Sequence, residues 1–154
     1  MVLALLTLSA AATGALAGAS LDQSIKQLPA RMRIGALAFS RYSQAADLGN
    51  GAVFYAVLGV TVALSNIATA IVAHVQDVSA GRAVPIYAGA VLAIMHSVVT
   101  AFAAPTNFSQ RGVVDEVALM AIFDRFARLQ ALRCVLQVMN FGATLWALIA
   151  VTGH

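Results

Sequence analysis

The stretch Asp124–Thr144, DRFARLQALRCVLQVMNFGAT, begins as a charged helix and runs into an apolar one without interruption. At helical spacing Arg133, Gln137, Asn140 and Thr144 fall at i, i+4, i+7 and i+11, on a single face. Around them stand Val135, Leu136, Val138, Met139, Phe141, Leu145 and Trp146, side chains that lipid or a packed neighbour accepts. A polar stripe on such a helix is costly unless groups inside a bundle meet it. The stretch therefore asks for partner helices, and the rest of the chain supplies them.

Composition agrees. Of 154 residues 61% are hydrophobic and 10% charged, with a mean hydropathy of +0.88; soluble domains average about 25% charged. The chain reads as one all-α transmembrane domain, an antiparallel four-helix bundle with the lipid bilayer as its first partner. The spans are expected at about 2–21, 52–74, 84–104 and 133–151, each near the length that crosses a bilayer core. For the first, a cleaved signal peptide is the rival reading, disfavoured because no basic region precedes the apolar run. Gly14 and Gly18 form a G-x-x-x-G that lets a neighbouring helix come close.

The connections are polar. Between spans one and two, Pro29 is expected to interrupt a helix. Residues from Ala30 to Tyr42 alternate apolar and basic, as in an amphipathic segment, and Gly49-Asn50-Gly51 reads as a turn or a kinked start to span two. Pro105 is expected to end span three, and a helical extension precedes span four. The first and third connections carry Lys26, Arg31, Arg33, Arg41, Arg111, Arg125, Arg128 and Arg133, whereas the other side has only Arg82. This bias predicts cytoplasmic basic connections and both termini outside, in the cell inner or plasma membrane.

The net charge of +3 does not indicate nucleic acid, because the basic residues lie between apolar runs. Single Cys134 makes no internal disulfide and is expected to pack as a small apolar residue. His74 and His96 lack metal-ligand spacing, so no metal site and no haem is expected. No phosphate loop or nucleophile elbow occurs.

Polar groups inside the spans are the functional signal. Hydroxyls such as Thr61, Thr69 and Thr100 ordinarily bond to their own backbone. Asn66, Asn140, Gln137 and above all His96 need partners at membrane depth, and an ionisable group there is a functional candidate by default. The plainer reading of His96 is a neutral ring bonded to Ser65 or Asn66. Asp124 and Arg128 are read as an i, i+4 surface pair.

The segments APTNFSQ (104–110) and DRFARLQALR (124–133), followed by an apolar span, resemble the anthrone oxygenase-like family of small four-helix membrane proteins. The resemblance rests on Pro105, Thr106 and Asn107 and on Phe126, Gln130 and Arg133, with Tyr42 and Gly49 fitting loosely. Phe126 stands where that pattern has tryptophan and Gln130 where it has histidine. The resemblance implies a membrane-embedded oxygenase-like enzyme for a flat, hydrophobic, anthrone- or quinone-like small molecule, with dioxygen as co-substrate and no cofactor required by any motif. Such chemistry needs a base and oxyanion donors: His96, Arg133 and Asn107 are the catalytic candidates. Gln137, Asn140, Asn66, Gln130, Phe126 and Tyr42 are the substrate-binding ones. The competing expectation is a non-catalytic subunit, as a homo-oligomer or inside a larger membrane complex, which predicts a solidly packed bundle.

Overall fold

The protein is described by a computed structural model covering residues 1–153; His154 lies outside the described residues. Four helices account for nearly all of it: α1 (Val2–Ile34), α2 (Ala36–Val75), α3 (Ala80–Phe108) and α4 (Glu116–Thr152), each long and apolar enough to cross a membrane. This is the all-α four-helix bundle that the alternation of apolar runs and basic connections predicts.

The helices form a ring in which each packs on its sequence neighbours and α4 closes onto α1. Buried pairings fix the directions. Val2 and Leu6 cluster with Ala73, Ile86 and Ala147, while Leu16 clusters with Val62 and Ala93. Rising numbers on one helix thus meet falling numbers on the next, and all neighbours are antiparallel. Much of this core is alanine, which brings backbones close where larger side chains would hold them apart. Gly14 does the same against α4: a Cβ added there would lie 3.0 Å from the Phe141 ring. Gly18, by contrast, has nothing within 4 Å of its Cβ position, so the two glycines do not act as one motif.

The connection between the first two spans is no loop. α1 and α2 run on as a helical hairpin that turns at Gly35, at φ +84°, a conformation that glycine adopts without the usual side-chain clash. The amphipathic character expected here is real: Ala36, Phe39, Ser40 and Ser43 are buried, and Arg41 and Tyr42 are exposed. The buried side packs on the first half of α4, where the Phe39 ring meets Phe123 edge-on at 4.9 Å. Leu28, Ala103, Leu119 and Phe126 complete that core.

Two prolines behave differently from expectation. Pro29 does not interrupt α1, because a wide π-type turn at Gln23–Gln27 precedes it and Pro29 falls in the first turn of the α-helical segment Leu28–Ile34. Pro105 does not end α3, which continues to Phe108. There the hydroxyls of Thr106 and Ser109 donate 2.8 Å bonds to the carbonyls of Phe102 and Thr106, consistent with the ways a membrane helix tolerates an internal proline. A second wide turn at Ala46–Asn50, with Gly49 off helical geometry at φ −89°, ψ −121°, is the kinked start of span two. The charged stretch before span four is helical from Glu116, capped by Asp115, whose carboxylate accepts from the Ala118 N–H at 2.7 Å. Asp124 does not pair with Arg128; it pairs across the bundle with Arg31 at 2.9 Å, which ties the hairpin to α4.

Candidate functional site

Each wide turn inserts a residue into its helix and rotates everything beyond it, and π-type insertions recur at functional sites. Here they stand on α1 and α2 at the basic end of the bundle. Beside them lies a cavity of about 280 Å³ whose wall includes Gln23, Asp47, Tyr55, His96, Asn107 and Arg133. The neck between membrane depth and the polar hairpin is therefore where ionisable groups and empty space coincide.

Arg133 is the centre of it. The side chain is turned inward and only 9% exposed. Its Nε donates to Thr100 Oγ1 at 3.1 Å and its Nη1 to Gln130 Oε1 at 2.8 Å. Nη2 makes no hydrogen bond among the described residues, and neither ion pair found there, Lys26–Asp22 and Arg31–Asp124, involves Arg133. A buried cation with no acidic partner is costly. Thr100 and Gln130 hold the guanidinium by neutral oxygens only, leaving its charge for whatever enters the cavity.

His96 lies one turn before Thr100 and is buried. It is not bonded to Ser65 or Asn66, whose side chains each donate to the Val62 carbonyl. Its Nε2 meets Gln137 Nε2 at 2.5 Å and Thr100 Oγ1 at 3.2 Å. The Gln137 approach is tight for two nitrogens, and Gln137 Oε1 is buried without a partner. Turning the amide over relieves both, with the ring N–H at Nε2 donating to Oε1. The lone pair is then on Nδ1, which has no partner among the described residues.

Asn107 adds a second donor. Its Oδ1 accepts from Gln110 Nε2 at 2.8 Å, which leaves the amide N–H groups for the cavity. Gln110, fully buried, also donates to Ser43 Oγ at 3.2 Å and accepts from Ser40 Oγ at 3.1 Å. Ser43 in turn donates to Asp47 at 3.1 Å, so a chain of hydrogen bonds links the hairpin to the cavity wall. Asp47 stands in the hairpin, before the apolar run of α2 begins. Burial pushes its carboxyl above the ordinary aspartate range, against the smaller opposing effect of the Ser43 bond.

Of the residues singled out from sequence, the structure places His96, Asn107, Arg133 and Phe126 around one cavity. Gln137 and Gln130 sit behind them and orient His96 and Arg133. Asn66 and Asn140 lie elsewhere: both press on Gly89, where an added Cβ would be 2.9 Å and 3.4 Å from their Oδ1 atoms. They fill a packed layer deeper in the bundle, and Asn140 Oδ1 has no partner there. Tyr42 is 47% exposed on the outer side of the hairpin, and Tyr55, further along α2, provides the phenol at the cavity. Gln23 and Asp47 continue the buried helical faces Ser9–Thr13–Leu16–Ser20 and Ala36–Ser40–Ser43 at ordinary spacing, and Tyr55 lies two turns before Val62 on the buried face of α2; periodicity does not reveal that these three faces meet at one cavity. Gly49-Asn50-Gly51 in addition marks the second wide turn.

Cys134 is buried, in keeping with an apolar packing role. Among the described residues no group of three His, Cys, Asp or Glu side chains is placed to hold a metal. His74, at the far end of α2, is exposed and remote from His96. Comparison with known proteins yields no matching family model, curated protein or solved structure.

Proposed function

We propose that the cavity is a binding and reaction site for a flat hydrophobic ketone, anthrone- or quinone-like, and that the protein is an oxygenase-like membrane enzyme. One observation carries this reading: the guanidinium of Arg133, buried and lacking an acidic partner, borders a cavity beside an imidazole with a free ring nitrogen. The volume of about 280 Å³ sits at the lower end of small-molecule pockets. Phe126 and Ala104 give it apolar walls. An accessory subunit would have no need of such a void, since a solid core is more stable.

In the proposed reaction His96 Nδ1 removes a proton from the CH₂ that lies across the central ring from the ketone and is acidified by it through the flanking aromatic rings. Arg133 Nη2 and the Asn107 amide stabilise the enolate oxygen that develops. The enolate passes one electron to dioxygen, and carbon radical and superoxide combine with uptake of a proton to a hydroperoxide. Loss of water then breaks the O–O bond and the second C–H bond and leaves the new carbonyl. The net change is CH₂ plus O₂ to C=O plus H₂O, with no further oxidant. The arginine asymmetry supports an orientation in which this end of the bundle faces the cytoplasm.

Purified protein with anthrone as the probe tests the reading, by oxygen uptake and by appearance of the quinone chromophore. The expected result is turnover in wild type that Arg133→Lys and His96→Ala each abolish while the variants remain folded and inserted. Anthrone oxidation at the same rate in all three proteins would overturn it.

A further inference from the structure

The cavity has a second arm. A space of about 230 Å³ runs from Tyr55, Ala56, Gly59, His96 and Thr100, all shared with the first, outward past Val60, Ala63 and Ser97. Those outer residues belong to the apolar middles of α2 and α3. Val60 is 57% exposed on the face that lipid would cover, and Ser97, also exposed, spends its hydroxyl on the Ala93 carbonyl at 2.8 Å. Nothing polar in this arm seeks a ligand.

Small residues between helices usually mark close contact, yet here they mark a gap. Ala56, Gly59 and Ala63 fall at i, i+3 and i+7 on α2, one face of the helix. A Cβ added at Gly59 would find nothing within 4 Å. At Gly14 and Gly89 the added atom meets a neighbouring side chain at 3.0 Å and 2.9 Å. The α2–α3 seam is thus open at Gly59, and the opening leads sideways from a polar head site into the lipid-facing surface.

We propose that the ligand carries a single linear apolar tail, which leaves the head cavity between α2 and α3 along Gly59 and Ala63 while the ring stays at Arg133. This rests on the proposed head site and adds to it. Polar groups ring one end of the space and apolar walls line the other, the division expected for an amphiphile drawn from the bilayer. A tailless aromatic would leave the outer arm to lipid chains.

The test uses the full chain in lipid nanodiscs and two probes with one head group, 2-methyl-1,4-naphthoquinone and its phytyl-tailed counterpart. Each probe is compared between wild type and variant, so that partitioning into lipid cancels. Ala63→Phe blocks the arm from α2 and Ser97→Phe blocks it from α3, so that one failing to fold leaves the other. The expected result is that either substitution weakens the tailed probe about tenfold or more, readily resolved by equilibrium binding, and leaves the tailless one unchanged. Equal effects on both probes, or no effect on the tailed one, overturn the tail assignment. The head site is judged separately by Arg133→Lys: if the tailless probe binds this variant as well as wild type, the head reading falls irrespective of the outer arm.

Discussion

Replacing Arg133 by methionine separates a ligand-binding arginine from a structural one. The substitution keeps most of the side chain's length and removes its charge. Two terms oppose each other. Replacing even a paired set of buried charges by well-packed apolar groups is often neutral or stabilising by about 1–4 kcal/mol, and among the described residues Arg133 has no acidic partner whose attraction would be lost. Against this, the bonds from Nε to Thr100 and from Nη1 to Gln130 are lost, each worth about 1.5–3 kcal/mol as bonds to a charged group. Thr100 has its own outlet, because its hydroxyl already donates to the His96 carbonyl at 2.8 Å. Gln130 Oε1 is stranded, so the net change should lie within about 2 kcal/mol of zero by these magnitudes. For a chain of this size that is a shift of at most about 8 °C in thermal midpoint. Ligand binding, in contrast, loses the cation of the cavity, and the charge-assisted bonds forfeited correspond to roughly tenfold to a hundredfold in affinity. Thermal unfolding in detergent and naphthoquinone binding on the same preparations give the two numbers. A loss of stability well beyond about 3 kcal/mol, the scale for breaking a buried pair, would refute the reasoning, because it would mean that the guanidinium is part of the scaffold.

Gly14→Leu should destabilise the bundle by about 1–3 kcal/mol, the usual cost of overpacking, since its Cβ alone reaches 3.0 Å from Phe141; Gly18→Leu should leave the melting unchanged, and equal effects would contradict the packing described. Asp47 has a folded pKa raised above the ordinary 3.8 by burial, so its ionisation opposes folding. Stability is unaffected below about pH 3.8 and falls as pH rises through the raised folded value. Asp47→Asn should therefore flatten that decline and be more stable than wild type at neutral pH in urea or thermal titrations; a variant with the wild-type pH dependence would refute the assignment. Cysteines placed at the exposed positions Arg33 and Val114 should react with an impermeant reagent only from the cytoplasmic side, and one at Ser79 only from outside; the reverse pattern would invert the proposed orientation.

Much of this molecule is legible without coordinates because lipid is a demanding solvent. A run of apolar residues long enough to span can hide its backbone only in a helix. Four such runs, each crossing the bilayer in the direction opposite to the one before it, therefore leave an antiparallel bundle as the natural arrangement. The inward turn of Arg133 arises in the same way, since it shares a helical face with Gln137 and Asn140 and that face cannot look at lipid. The tertiary structure decided what periodicity cannot express. Asn140 and Asn66 belong to the same polar faces as the cavity residues, yet Gly89 draws them into a closed layer, and only the distances to that glycine separate filler from site. Gln23 and Asp47 continue the buried faces of their helices at ordinary spacing, but that these faces meet at one cavity, beside the wide turns at Gln23–Gln27 and Ala46–Asn50, is decided only by how the helices pack. Whether Gly59 marks a contact or a gap depends on how far α3 stands away. The distance between two helices is set by every side chain along their seam, and no single stretch of sequence contains it.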